Sequence, residues 1–336
     1  MEEQLFRENN TIVRPFSKSA EVTCRMCSEP LERAIVDFGA DASFEKASQK
    51  LKEHYGVHIQ ASTIRNVVQK HAREMAQVKS KKTRRVAAFC INGSIDGAMV
   101  PIVEIDQDKK EKDLRKVRST CWKESCLSLA CEKGSVSPIY AATMGSKDDA
   151  GKRLNECANR VGMNDETNIH VVADGAPWIE EQVEKNFGDQ ANFLIDFYHM
   201  SQYLAEASKC YCPENPEEWL KSSQASMKES KVEKVLSMLK MHLEECSMEK
   251  DCPARKCLNY LEKRITHLDY KSAIEQDLPI GSGAIESGNK HVIQQRLKIP
   301  GAWWKKENAQ AMLDLRTLRA NGDWEYYWLN KSKGVA

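Results

Sequence analysis

No stretch of this 336-residue chain approaches the roughly 20 consecutive apolar residues that cross a bilayer, and the first ten residues, MEEQLFRENN, are acidic and polar. The expectation is therefore a protein with neither a membrane span nor a secretory leader, acting in the cytoplasm. A net excess of charge is also missing. Fifty Lys and Arg stand against 49 Asp and Glu, which excludes a uniformly basic nucleic-acid coat but not a local basic face. Aromatic residues make up only 7%, and there is no internal repeat or low-complexity tract. The 41% hydrophobic and 29% charged residues describe an ordinary globular protein, long enough for two or three domains.

Cysteine is the composition's unusual feature, at 12. Without a leader, and with thiols spread from Cys24 to Cys257, reduced cysteines are expected rather than a disulfide framework. Cys24-x-x-Cys27 is the one CxxC. With His54 and His58 it would make a four-ligand zinc set, but the intervening segment is far longer than in a compact finger, so free thiols are the plainer reading.

Residues 28–78 carry the pattern of three helices. Ser28 is placed to cap the first, with Leu31, Ile35 and Phe38 on one face and Gly39 as its stop. Ser43 caps the second, which buries Phe44, Ala47, Leu51 and Tyr55 and stops at Gly56. The third starts near Ser62, turning Ile64, Val67, Val68 and Met75 inward and Arg65, Asn66, Gln69, Lys70 and Arg73 outward. This is a helix-turn-helix pattern, with the third helix offering donors to DNA; a small bundle with a solvated face has the same pattern. Lys79, Lys81, Lys82, Arg84 and Arg85 follow, either as a solvated linker or as an arm on phosphates. Residues 1–85 hold 16 Lys and Arg against 11 Asp and Glu, a local basic bias.

The periodicity then changes. Val86–Ile95 reads as a buried strand ending at Asp96, with Asp96-Gly97 as a turn and Met99–Ile105 as the returning hairpin strand. Strands are expected over Cys126–Cys131, Ile139–Met144, Ile169–Ala173 and Phe193–Ile195, with helices over Lys147–Val161 and Pro177–Phe187. Clustered strands followed by alternating strands and helices make an α/β layer with a mixed sheet. From Met200 to Asp277 the spacing is helical throughout. The chain returns through Leu278–Gly283 into a helix over Ala284–Lys298, and a helix over Lys305–Ala320 closes the fold. The expected parts are thus an N-terminal helix-turn-helix region and basic linker over 1–85, a core over 86–199, an all-helical insertion over 200–278, and a core completion over 279–336.

Three carboxylates occupy positions where acids are awkward. A right-handed crossover lets the strands that end at Asp96 and Asp174 lie side by side and parallel, so both acids would meet at the carboxyl edge of the sheet. Glu286 falls in the first turn of a helix, where the dipole favours its ionised form, and Gly283 and Gly288 would let that helix pack closely. Carboxylates brought together need a compensating divalent cation, and hard oxygen ligands select Mg²⁺ or Mn²⁺. The plainer alternative is that Asp-Gly pairs are turns and the glutamate a cap.

The segments Ile95-Asp96-Gly97-Ala98-Met99-Val100, Val171-Val172-Ala173-Asp174-Gly175-Ala176-Pro177-Trp178, Ile195-Asp196-Phe197-Tyr198-His199 and Gly281-Ser282-Gly283-Ala284-Ile285-Glu286-Ser287 resemble bacterial insertion-sequence transposases. The likeness is to the ISKra-type DDE family, related to the Mutator-like group. It extends in order over about residues 24–328 and includes Ala34–Ala40, Glu53–Gly56 and Asn289–Lys298. The resemblance implies an RNase H-like catalytic core interrupted by the helical insertion, with Asp96, Asp174 and Glu286 as the acid triad holding Mg²⁺ or Mn²⁺. It implies cleavage at transposon terminal inverted repeats and joining of the freed 3′-OH to target DNA. Partners would be double-stranded DNA and further copies of the chain, as a homodimer or higher oligomer, in a nucleoid-associated setting. Asp196 and His199 match an Asp-x-x-His signature of related groups, giving His199 a place near the cleaved strand or, equally, in the core against Asp196. Lys290, Arg296 and Lys298 would hold phosphates, or form a solvated helix face. Trp303-Trp304 would stack on an unpaired base or, preferably, fill the core. The rival functions are a non-catalytic DNA-binding regulator and a junction-type nuclease on the same fold.

Overall fold

The structure is a computed structural model that describes residues 4–8, 11–19, 27–78, 86–105, 118–245 and 252–332. In chain order the elements begin with a short hairpin, β1 (Phe6–Glu8) and β2 (Thr11–Val13), then α1 (Pro15–Ser19), α2 (Glu29–Asp41), α3 (Phe44–Tyr55) and α4 (Ala61–Met75). The central part comprises β3 (Cys90–Ile105), β4 (Arg118–Glu132), β5 (Ile139–Thr143), α5 (Lys147–Val161), β6 (Asn168–Ala173), α6 (Pro177–Phe187) and β7 (Ala191–Ile195). Helices α7 (Phe197–Tyr211), α8 (Pro216–Lys228), α9 (Val232–Glu245), α10 (Pro253–Glu262) and α11 (Tyr270–Glu275) follow. Then come α12 (Gly283–Gly288), a π-helical turn (Asn289–Gln294), α13 (Gln295–Leu297), α14 (Lys306–Ala320) and α15 (Trp324–Ser332).

Most of these were legible locally. Ser43 accepts a bond from Lys46 N and Gly56 takes the left-handed conformation, φ +69°, so α3 starts and stops on its own signals. Pro216 and Pro253 stand at helix starts, where a missing N–H costs nothing. Gly39 does not stop α2, which runs on to Asp41; a Cβ there would meet Val68 Cγ2 at 2.4 Å, so this glycine serves close helix packing. Tyr55 is exposed rather than buried, and Trp122 is exposed as well. The last helix, α15, was not anticipated.

The larger correction concerns Asp96-Gly97. This pair does not turn the chain: β3 is one strand of 16 residues that carries both through its middle. Gly97 does not have a positive φ. A Cβ on it would meet Glu124 Oε1 of β4 at 2.4 Å, so the glycine admits a close neighbour on the sheet rather than bending it. Residues 99–105 therefore continue the strand on which Asp96 lies.

The five-stranded sheet has the order β5-β4-β3-β6-β7. Strands β4 and β5 pair antiparallel, whereas β3–β6 and β6–β7 are parallel, so the sheet is mixed. The chain divides into two compact units. One comprises residues 80–100 and 122–291. In it Ile91, Ile95, Leu154, Ile169, Val171 and Phe193 form a buried core that continues into Met200, Leu204, Leu236 and Leu261 of the helical segment. The helices of 197–275 thus share a core with the sheet.

The other unit comprises residues 1–79, 101–121 and 292–336. Here α2, α3 and α4 pack together, and α14 lies on α4 and α2. Arg316 of α14 is buried and donates to Val292 O (2.6 Å), Ala40 O (2.6 Å) and Asp41 Oδ1 (2.8 Å). The three N-terminal helices accordingly share their unit with the last two helices of the chain.

Candidate active site

The register of β3 and β6 sets the site. Cys90 pairs with Asn168 and Gly93 with Val171; continuing three residues along each strand brings Asp96 level with Asp174. The expected side-by-side, parallel arrangement of these two strands is present. Asp174 follows the end of β6, and Asp196 follows the end of β7. All three acids therefore lie towards the carboxyl end of the parallel strands, where α/β sheets bind ligands.

Asp196 is buried, at 2% exposure, and its carboxylate is fully used. Oδ1 accepts from His199 N at 2.7 Å, capping α7, and Oδ2 accepts from Ser282 N. The returning segment is further fixed by Phe197 N donating to Ile280 O (2.8 Å) and by a bond between His170 Nε2 and Pro279 O (2.8 Å). Asp196 is thus a cap that ties the approach to Glu286 to the end of β7. The imidazole of His199 does not bond Asp196; it lies edge-on to Tyr203, with ring centroids 5.8 Å apart.

Glu286 is exposed, in the first turn of α12. A Cβ on Gly288 would meet Tyr140 Cε1 at 2.6 Å and Leu127 Cδ2 at 3.0 Å, so Gly288 is a close-packing residue against β4 and β5. Gly283 has open space around it and plays no such part. One turn beyond Glu286, buried Asn289 donates its amide to Asp96 Oδ2, while Gly97 N donates to Asp96 Oδ1 at 2.8 Å. Burial pushes the Asp96 carboxyl above its usual range; the bonds from Asn289 and Gly97 oppose this, and the charges of Asp174 and Glu286 add to it. Asp174 and Glu286 are therefore each within electrostatic reach of Asp96. Among the described residues, however, no group of three His, Cys, Asp or Glu side chains is closed into a metal-holding cluster. The donor chemistry fits Mg²⁺ or Mn²⁺. Asp96 would have to exchange its bond to Asn289 for the ion.

Sequence reasoning missed the groups that hold the Asp174 turn. Asp174 Oδ1 accepts from Ala176 N at 2.9 Å, and Gly175 has φ +81°. Tyr260 of α10 donates its Oη to Asp174 O (3.2 Å), and Arg264, in the turn just beyond that helix, donates Nε to Gly175 O (3.0 Å). Tyr260 stacks on Tyr203 of α7, with centroids 3.9 Å apart and an interplanar angle of 13°. Asn289 had a faint signal in its spacing from Glu286, one turn along the same helix face. Tyr260 and Arg264 had none.

The predicted DNA-facing residues separate. Arg65 and Asn66 are exposed and Gln69 half-buried on α4. Lys290 and Lys298 are exposed. Arg296 is not a surface cation: it is 2% exposed, donates Nε to Gly39 O at 3.0 Å, and lies over the rings of Phe44 (4.7 Å) and Trp304 (4.8 Å). Its lost hydration is offset in part by a carbonyl and two π faces. Lys81, Lys82 and Cys24 lie outside the described residues. In the helical segment Cys210 Sγ is 3.6 Å from Cys252 Sγ and 3.9 Å from His242 Nε2. No helix among the described residues is long and apolar enough to cross a membrane.

A model of the uncharacterised protein family UPF0236 matches residues 21–330, and the chain belongs to that family. A UPF0236 protein of Caldanaerobacter subterraneus subsp. tengcongensis, whose name carries eleven locus designations, is 24% identical over 298 residues. That match takes in 86% of this chain and 58% of the relative's length. A Streptococcus gallolyticus protein named as a UPF0236 protein in the vanSb 3′ region is 23% identical over 339 residues, or 97% of this chain and 71% of the relative. A third, another UPF0236 protein of the first organism, is 31% identical over 156 residues, or 46% of this chain and 31% of the relative.

Proposed function

We propose that this protein is a DNA transposase of the DDE type, with an RNase H-like core. The observation that carries the reading is the parallel register that sets Asp96 level with Asp174 at the carboxyl end of adjacent strands, with Asn289, one turn beyond Glu286, bonded to Asp96. The eleven locus designations of one relative add support, because a self-copying element leaves many copies in one genome.

On this reading Asp96, Asp174 and Glu286 would hold Mg²⁺ or Mn²⁺, whose chemistry would be to activate an attacking oxygen and stabilise a leaving oxygen at phosphorus. Asn289 orients Asp96. Tyr260 and Arg264 fix the backbone that presents Asp174. Asp196 fixes the approach to Glu286, and exposed Lys290 stands four residues beyond that acid, available to a phosphate. Cleavage adds water across a phosphodiester at a terminal inverted repeat and frees a 3′-OH. Joining exchanges that hydroxyl for the leaving oxygen of a target phosphodiester in double-stranded DNA. A homodimer or higher oligomer would bring two ends together.

The test is a joining assay with labelled duplex ends and Mg²⁺, using the wild type, Asp174→Asn and Glu286→Gln. Loss of both cleavage and joining in folded variants is expected. Wild-type joining by either folded variant would remove that acid from the mechanism. Cutting of branched DNA without joining would favour a junction nuclease, and end binding without cutting a regulator.

A further inference from the structure

The unit formed by residues 1–79, 101–121 and 292–336 contains a groove of about 960 Å³. One wall is the outward face of α4, with Arg65, Asn66, Gln69 and Arg73. The opposing wall is the segment from Ile299 to Asn308, and Arg118 and Thr120 also line the groove. Arg73 Nη2 donates to Asn308 Oδ1 at 3.1 Å. A recognition helix must project to enter a major groove roughly 12 Å wide. Here the face of α4 that would read bases is instead one side of a concavity.

The groove has the marks of a different ligand. Its volume is at the upper end for sites that take a compact ligand, enough for a few nucleotides of one strand. Arg65, Arg73, Arg118 and Lys305 are exposed along it, against Glu45 and Glu307. Buried Arg296 also lines it, and its Nη2 has no hydrogen-bond partner among the described residues. Trp303 lies in the groove with 47% of its surface exposed. The backbone that presents it is anchored: Trp304 is buried, its Nε1 donates to Leu297 O at 3.1 Å, and its main chain bonds Pro101 O and Val103 N. A large, exposed aromatic ring on a fixed backbone among cations is a stacking platform.

We propose that this groove binds an unpaired DNA strand, with a base stacked on Trp303 and phosphates paired with Arg65, Arg73, Arg118 and Lys305. The choice of DNA rests on the transposase reading. The preference for an unpaired strand rests on the groove alone. In a transposase such a strand is the frayed end beside a cut. The cations serve any sequence, because phosphate contacts carry no base information.

The experiment uses the full chain in EDTA, so that no cleavage is required. The probe is an oligodeoxythymidylate of roughly ten nucleotides carrying 2-aminopurine, within the site sizes of single-strand binders. Wild-type protein should bind it, quench the 2-aminopurine, and bind a duplex of equal length more weakly. Trp303→Ala should weaken binding about 5- to 150-fold and abolish the quench, the effect of losing one base stack, whereas Trp303→Tyr should retain both. Arg118→Ala and Lys305→Ala should each reduce the salt slope by roughly 0.7. Binding by Trp303→Ala within about twofold of wild type would overturn the proposal, as would equal affinity for the duplex. Tighter binding of the matching ribo-oligomer would overturn the assignment to DNA. Failure of end joining with these results intact would count against the transposase reading and leave the groove's ligand standing.

Discussion

Replacing Tyr260 with Phe isolates one hydroxyl. The ring keeps its stack on Tyr203, 3.9 Å away, and only the bond to Asp174 O is lost. Burial, before the neighbouring charges, drives the Tyr260 hydroxyl far above its usual range, so it is a neutral donor at every working pH. A neutral hydrogen bond of this kind contributes about 1 kcal/mol net. Tyr260→Phe should therefore cost about 1 kcal/mol in urea denaturation, whereas Tyr260→Ala, which also removes the stacked ring, should cost about 3–5 kcal/mol. The backbone amides of Gly175 and Ala176 should exchange several-fold faster in the Phe variant. If Asp174 holds metal, the Mg²⁺ concentration for half-maximal cleavage should rise as its turn loosens. Equal losses for Phe and Ala would show that the stack does not act independently of the hydroxyl. Unchanged exchange at Gly175 in the Phe variant would refute the claim that the Tyr260 hydroxyl holds the turn.

Asp96→Asn tests the carboxylate coupling through pH. The native carboxyl lies above its ordinary value of 3.8, mainly through burial, so its ionisation costs stability as the pH rises through that value towards and beyond the native one. The variant should melt higher than wild type in EDTA at pH 7, with the gain fading below pH about 4; a gain that persists unchanged at pH 3 would exclude ionisation as its source. Arg296→Ala should destabilise the protein by about 3 kcal/mol, from a buried charge-assisted bond and two cation–π contacts, measured by denaturant unfolding. Even with its pKa lowered to about 10, chiefly by burial, Arg296 stays charged at neutral pH, so Arg296→Lys should not restore the packing of its planar group. Among the described cysteines, Cys252 should alkylate early: burial raises its thiol, but backbone N–H groups of Arg255 and Ala254 and the Cys210 thiol together bring it below the usual value. Burial pushes Cys126, Cys157 and Cys257 up to about 12, and peptide mapping after brief iodoacetamide treatment should find them unlabelled.

Local chemistry made the helices and parallel strands legible, because caps, periodicity and buried runs act over a few residues. Lys147–Val161 and Pro177–Phe187 have the expected bounds. Asp96-Gly97 misled because an Asp-Gly pair has the same composition in a turn as beside a bulky cross-strand neighbour; only Glu124 distinguishes them, and it lies 27 residues further along the chain. Arg296 misled for a related reason. Its helical position looked like a charged face, and the rings that receive it come from residues 44 and 304. Asp174 could be picked out from a strand end and Glu286 from a first helical turn, whereas Asp96 was reached through an expected strand end that is in fact the middle of β3. The groups that orient them, Asn289, Tyr260 and Arg264, act through contacts that no local pattern encodes.

The length of β3 has a mechanical consequence. Asp96 is carried by an interior strand with neighbours on both sides, and Ser94 adds a 2.6 Å bond to Val172 O just ahead of it. Its main chain has no room to travel without breaking the ladder. Asp174 is on a turn held by two side chains, and Glu286 is exposed in the first turn of a helical run over 283–297, behind a short connection. Any rearrangement around a ligand must then be divided unequally: Asp96 can only rotate its side chain, while the Asp174 turn and the exposed first turn that carries Glu286 take up the rest. Amide exchange should register that division as a gradient, with the slowest protons around Ile95 and progressively faster ones at Gly175 and Glu286.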